Sequence, residues 1–178
     1  SISIVLIVNR YSIKSHLHST QFEKNVNKNK KPQELRSNNK LKIEWDVFDD
    51  WEEVRGNDFA LASYKIDNVK TNSEISITKF PGDAGGIENN VNRWRRQLEL
   101  PLESIESIAE KAELGNNKLG NFSIYKIVNN DKPGMAFLCM IQSLNESTIF
   151  VKLKSSKNGI DRLESMFYDF CFSFRFKE

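Results

Sequence analysis

Histidine is nearly missing from this chain of 178 residues, and both copies, His16 and His18, fall within the first 20 positions. From Leu41 onward there is none, which removes Ser-His-Asp and Cys-His nucleophilic chemistry from that region. The two cysteines, Cys139 and Cys171, form no CxxC pair and no zinc spacing. Both sit in apolar segments and read as small buried hydrophobes, and a disulfide would require the last segment to lie beside the strand around Cys139. HExxH is absent, as is any cluster of His, Cys and carboxylate able to hold a transition metal, so neither a metal nor another cofactor is expected. The apolar segment Ser1-Ile-Ser-Ile-Val-Leu-Ile-Val8 is far shorter than the ~20 residues that span a bilayer.

What is present is the composition of a folded domain. Hydrophobic residues make up 39% and charged residues 28%, and the formal charge is only +2. Much of the positive balance lies between Lys24 and Lys42, which leaves no broad basic face for nucleic acid. Ser1–Val8 reads either as a β-strand or as the remnant of an apolar anchor or signal segment. Residues 9–40, rich in Asn, Lys, Ser and Gln, have too little apolar surface to offset their ordering entropy and read as a flexible polar tether. Together they favour an exported domain at the cell envelope, touching membrane only through its N-terminal anchor. A single domain is expected over 41–178.

Alternation and turn residues place strands at Leu41–Trp45, Leu61–Ile66, Ile75–Phe80, Phe122–Val128, Met135–Gln142 and Thr148–Lys154. Asp49, Asp50 and Gly56 mark a turn around Trp51. Helices are expected at about Gly86–Leu98 and Leu102–Leu114. Ser155–Asn158 leads into a last helix with Ile160, Leu163, Phe167, Phe170 and Cys171 at helical spacing, and Phe172, Phe174 and Phe176 alternate in a short closing strand. The order β-β-β-α-α-β-β-β-α-β, with hairpin-length links, argues for an α+β fold: an antiparallel sheet flanked by helices.

The segment Ile75–Leu98 is the one place built for more than packing. In Pro81-Gly-Asp-Ala-Gly-Gly86, glycines before a helix could expose N–H groups to an anion. Neither phosphate fingerprint is present, and Asp83 is better placed to cap the first helical turn. Ile87, Val91, Trp94 and Leu98 share one helix face and read as core. The remaining faces carry Asn89, Asn92, Arg93 and Arg96, with Arg95 between. Either these bind a carboxylate or phosphate, or they form a solvated face whose arginines pair with Asp83, Glu88 and Glu99. Two successive asparagines disfavour a helix and ask for another reason, such as bonds to the loop backbone.

Ala62–Ile66, Phe80-Pro-Gly-Asp-Ala-Gly-Gly86 and Asn90-Val-Asn-Arg-Trp-Arg-Arg-Gln-Leu98 resemble an uncharacterised family of bacterial exported proteins and lipoproteins with an FPGDAGG…NVNRWRxQL signature. The resemblance runs from about Trp51 to Phe176 and departs at Arg96. It implies a PsbP-like fold and an accessory or scaffold role without catalysis, and it supplies no catalytic residues. The candidate site is therefore Gly82, Asp83, Gly85, Gly86, Asn89, Asn92, Arg93 and Arg96, serving a protein partner or a small anionic ligand in a non-enzymatic, membrane-tethered binding module. The competing reading is a hydrolase or transferase using Asp83 and Arg93 in a cleft at the Gly-rich loop.

Overall fold

A computed structural model describes residues 42–56, 59–66 and 71–177. The expected anchor and tether lie outside the described residues.

Among the described residues, nine strands and three helices follow in the order β1 (Ile43–Glu44), β2 (Trp51–Val54), β3 (Ala60–Ile66), β4 (Ser73–Pro81), α1 (Ile87–Gln97), α2 (Ile105–Lys111), β5 (Glu113–Asn117), β6 (Gly120–Val128), β7 (Ala136–Leu144), β8 (Ser147–Ser155), α3 (Lys157–Phe172) and β9 (Arg175–Phe176). Strands β2-β3-β4-β8-β7-β6-β5 form one sheet, every neighbouring pair antiparallel, and β1 pairs with β9 in a separate two-stranded ribbon. The α+β expectation holds, with helices on both faces.

Two strands were not foreseen. The turn expected around Trp51 is instead β2, because Trp51 is buried and pairs with Ile66. The helix expected as far as Leu114 ends at Lys111, and Glu113–Asn117 becomes the edge strand β5. Gly115 explains that choice: a Cβ there would stand 2.2 Å from the Phe122 ring, so only glycine lets β5 approach β6 this closely.

Period-2 alternation splits the sheet into two apolar faces. On one, Ile75, Ile77, Leu138, Met140, Val151 and Leu153 pack under α3 and the segment from Ile43 to Phe48. Its centre is aromatic: Trp45 stacks on Phe174 at 5.4 Å, Trp51 meets Phe170 at 4.8 Å, and the Trp45 indole N–H donates to the Tyr64 hydroxyl. On the other face, Tyr125, Ile127, Phe137, Cys139, Ile141 and Phe150 receive Val91, Trp94 and Leu98 of α1 and Ile108 of α2. Cys139 and Cys171 are free, buried, and on opposite sides of the sheet, so no disulfide joins them. Their burial pushes both thiols well up from their ordinary range.

Trp94 is the anchor of α1, 3% exposed and edge-on to Phe150 at 5.9 Å. Ile87, expected beside it, is instead 37% exposed, because α1 starts there on a loop that has not yet reached the sheet. Ile105 and Ala109 of α2 are likewise exposed, and Ile108 alone of that helix is fully buried.

Candidate functional site

The chain leaves β4 at Pro81 and enters α1 through a tightly wound loop. Gly82, Ala84, Gly85 and Gly86 all have positive φ, at 61°, 53°, 87° and 80°. Such angles cost a side chain but not glycine, which explains the loop's composition. Its base is pinned to the β7–β8 turn: the Gly82 N–H donates to the Glu146 carbonyl at 3.0 Å, and the Thr148 hydroxyl donates to the Gly82 carbonyl at 2.7 Å.

Asp83 does not cap the helix as expected. The cap residue is Gly86, with no side-chain cap bond, and the Asp83 carboxylate instead accepts the Gly85 N–H at 3.0 Å. That arrangement is an Asx turn, which winds the loop one step before the helix begins.

The asparagines are committed to structure. Asn90, 4% exposed, donates through Nδ2 to the carbonyls of Ala84 (2.9 Å) and Gly86 (2.7 Å). Asn89 donates to the Gly85 carbonyl at 2.8 Å. Asn92, also buried, exchanges two bonds of 2.9 Å with the backbone of Glu103, tying α1 to the start of α2. These bonds supply the reason that helix propensity alone did not.

The arginines separate. Residues of a helix advance about 100° each, so Arg95 and Arg93 leave opposite flanks of the Trp94 position. Arg95 turns toward α2, donating to the Pro101 carbonyl at 2.8 Å and pairing with Glu103 at 2.9 Å. Arg93 lies on the flank away from α2, one turn before Gln97, and Arg96 faces outward. Both are exposed, and among the described residues neither makes an ion pair. Glu99 pairs with Lys132 rather than with α1, and Asp83 pairs with no described cation. The eight predicted residues therefore divide: the loop, Asn89 and Asn92 build the scaffold, whereas Arg93, its guanidinium 6.0 Å from the centre of the Trp94 ring, and Arg96 have no carboxylate partner among the described residues.

Sequence reasoning missed Lys152. From β8 it projects onto the α1 face, in register with Ser76 of β4 and Cys139 of β7. Its half-buried ammonium lies 3.7 Å from the centre of the Phe137 ring and donates to Gln97 Oε1 at 2.7 Å. Burial lowers its pKa, and the positive charges of Arg93 and Lys154 lower it further. The signal in the sequence was a lysine within the apolar stretch Ile149–Leu153.

The described residues contain no group of His, Cys, Asp and Glu able to hold a metal, and none of their helices is long and apolar enough to cross a membrane.

No family model matches the sequence, and no curated protein matches it significantly. Among solved structures, the chain is similar to the cyanobacterial PsbP protein CyanoP from Synechocystis (TM-score 0.48, 14% identity, 76% of this chain and 86% of that one). It is also similar to LpqN, involved in cell envelope biogenesis of Mycobacterium tuberculosis (TM-score 0.46, 13% identity, 83% and 90%). A third is a Bacteroides thetaiotaomicron protein (TM-score 0.46, 12% identity) of which this chain, over 76% of its own length, covers 45%. These similarities concern the arrangement of strands and helices alone.

Proposed function

We propose that the chain is an exported, membrane-tethered accessory module that binds an acidic group, on a protein partner or a small anion, and performs no reaction of its own. The observation that carries this reading is the division within the site. The polar groups of the loop are spent on one another, whereas Arg93 and Arg96 stand exposed on a rigidly held helix with no carboxylate partner among the described residues. A guanidinium fixed in place recognises carboxylate or phosphate through its fork of donors. The apolar Ser1–Val8 segment and the polar stretch after it support export and tethering. The enzymatic alternative fares less well. Asp83 and Arg93 form no ion pair, and the Asp83 carboxylate already has its place in the turn.

The test is a double variant, Arg93→Ala with Arg96→Ala, titrated with inorganic phosphate and with a glutamate-rich peptide. Exposed arginines contribute within about 0.5 kcal/mol to folding, so melting should barely move while binding of either probe is lost. Unchanged binding, or a stability loss with no binding defect, would sink the proposal.

A further inference from the structure

The helices cover only part of their face of the sheet. Trp94 seats α1 against Phe150 of β8, α1 also contacts β6, and Ile108 of α2 joins the same apolar cluster as Tyr125 and Ile127. The strand order then leaves β4, β3 and β2 beyond the flank of α1 that carries Arg93 and Gln97. No described helix lies over that side. Ser76 and Thr78 of β4 are half-buried there, and Lys65 and Glu74 are exposed. Neither the Ser76 nor the Thr78 hydroxyl is engaged by another described group.

At the edge of this floor stands Lys152. Its register partner is Ser76, and Thr78 pairs with Phe150 one rung further on. The helix wall carries Gln97, which accepts from Lys152, and Arg93 one turn earlier, about 6 Å along the axis. Lys152 and Arg93 thus belong to one rim, and the charge of Arg93 helps to lower the pKa of Lys152, after the larger effect of burial. The lysine has three donors and the guanidinium five. Of these, the structure occupies one, with the neutral Gln97 amide. Two cations held side by side, one of them half-buried, with no carboxylate between them, raise each other's energy. A bound anion removes that cost.

We propose that Lys152 is the inner cation of an oxyanion site, in which a small carboxylate or phosphate group lies between Lys152 and Arg93 over the hydroxyls of Ser76 and Thr78. The inference rests on the binding reading above and narrows it to a small ligand. Lys152 is only half-exposed and bonded to Gln97 of α1, which favours a slender group over a flat protein surface. Lys152 carries the charge, the two hydroxyls complete the coordination, and Arg93 closes the outer side.

Titration of the full chain with inorganic phosphate, acetate and a glutamate-rich peptide tests this, followed through amide shifts and the Lys152 ammonium resonance. In the wild type, phosphate or acetate should shift that resonance. Lys152→Met should weaken small-anion binding at least tenfold, and Lys152→Arg should restore most of it. Should Lys152→Met fail to fold, Lys152→Gln serves the same comparison. If Arg93→Gln abolishes binding while the Lys152 variants bind as the wild type does, the inner-cation assignment is overturned and the arginine reading survives. Peptide binding with no response to phosphate or acetate overturns the small-ligand assignment. Silence toward all three probes overturns both.

Discussion

Removing the Asn90 side chain is the sharpest test of how the loop before α1 is held. Asn90→Ala deletes two donated bonds, to the carbonyls of Ala84 and Gly86, in a side chain that is 4% exposed. Each such bond is worth about 1 kcal/mol net, and an acceptor left unpaired in a partly buried site adds to the loss. Against this, alanine is the better helix former by roughly 0.5 kcal/mol. The expected cost is therefore about 2 kcal/mol, or a fall of about 4–8 °C in melting temperature. Two companions sharpen the result. Asn89→Ala removes one exposed bond, which the helix propensity of alanine nearly offsets, and should be close to neutral. Asn90→Asp keeps the shape but turns both donors into acceptors facing two carbonyls, and should cost more than alanine at neutral pH. Urea denaturation of the three variants reads these differences directly. A loss below about 0.5 kcal/mol for Asn90→Ala, or equal losses at positions 89 and 90, would refute the argument that Asn90 holds the loop.

Trp94→Ala should cost roughly 3–5 kcal/mol, since it empties the contact with Phe150 on which α1 sits; a change under 1 kcal/mol by denaturant titration would mean the helix docks by other means. Asp169 is 3% exposed, and burial pushes its pKa up to about 7, above the value of about 3.9 expected in the unfolded chain. The folded state thus holds the proton more tightly, and this stabilising contribution is fully present below about pH 4 and lost as pH rises through about 7. Asp169→Asn should flatten that part of the stability profile, and melting curves at pH 5 and pH 8 that keep the wild-type difference would contradict it.

Much of the fold was legible because its strands alternate strongly and its turns are rich in Asn, Gly and Asp. Residues 75–80 and 122–128 announced themselves as strands by period-2 alternation, 135–142 and 148–154 as apolar runs bounded by turn residues, and the 3-4 spacing of Val91, Trp94 and Leu98 gave the buried face of α1. The failures have specific causes. Glu113-Leu-Gly-Asn-Asn117 has little intrinsic strand preference and becomes β5 only because β6 offers it a partner and Gly115 clears the Phe122 ring. Trp51 sits between the acidic pair Asp49-Asp50 and Gly56, so local chemistry said turn while the aromatic cluster around Phe170 and Tyr64 demanded a strand. In the site, the loop and its asparagines were visible as a dense polar motif. Their use as internal struts depends on carbonyl positions that a one-dimensional pattern does not encode. Lys152 escaped notice for a different reason: its relation to Gln97 and Arg93 exists only after β8 has joined the sheet beside β4, with α1, α2 and β5 to β7 between them in sequence.

That pairing also decides when the molecule becomes whole. The middle of the sheet is the β4–β8 ladder, running from Glu74 opposite Lys154 to Pro81 opposite Ser147, so the joint between its two halves closes over one of the longest loops in the chain. As the polypeptide emerges from its N-terminal end, the β2-β3-β4 meander forms first, and the inner edge of β4 then offers a full row of unsatisfied backbone groups until β8 arrives. Non-local closure of this kind sets a slow folding step, because the entropy of the loop is lost before its contacts are made. The bare edge of β4 is a natural place for a chaperone to sit, and a nascent chain cut short anywhere before Ser147 would keep it.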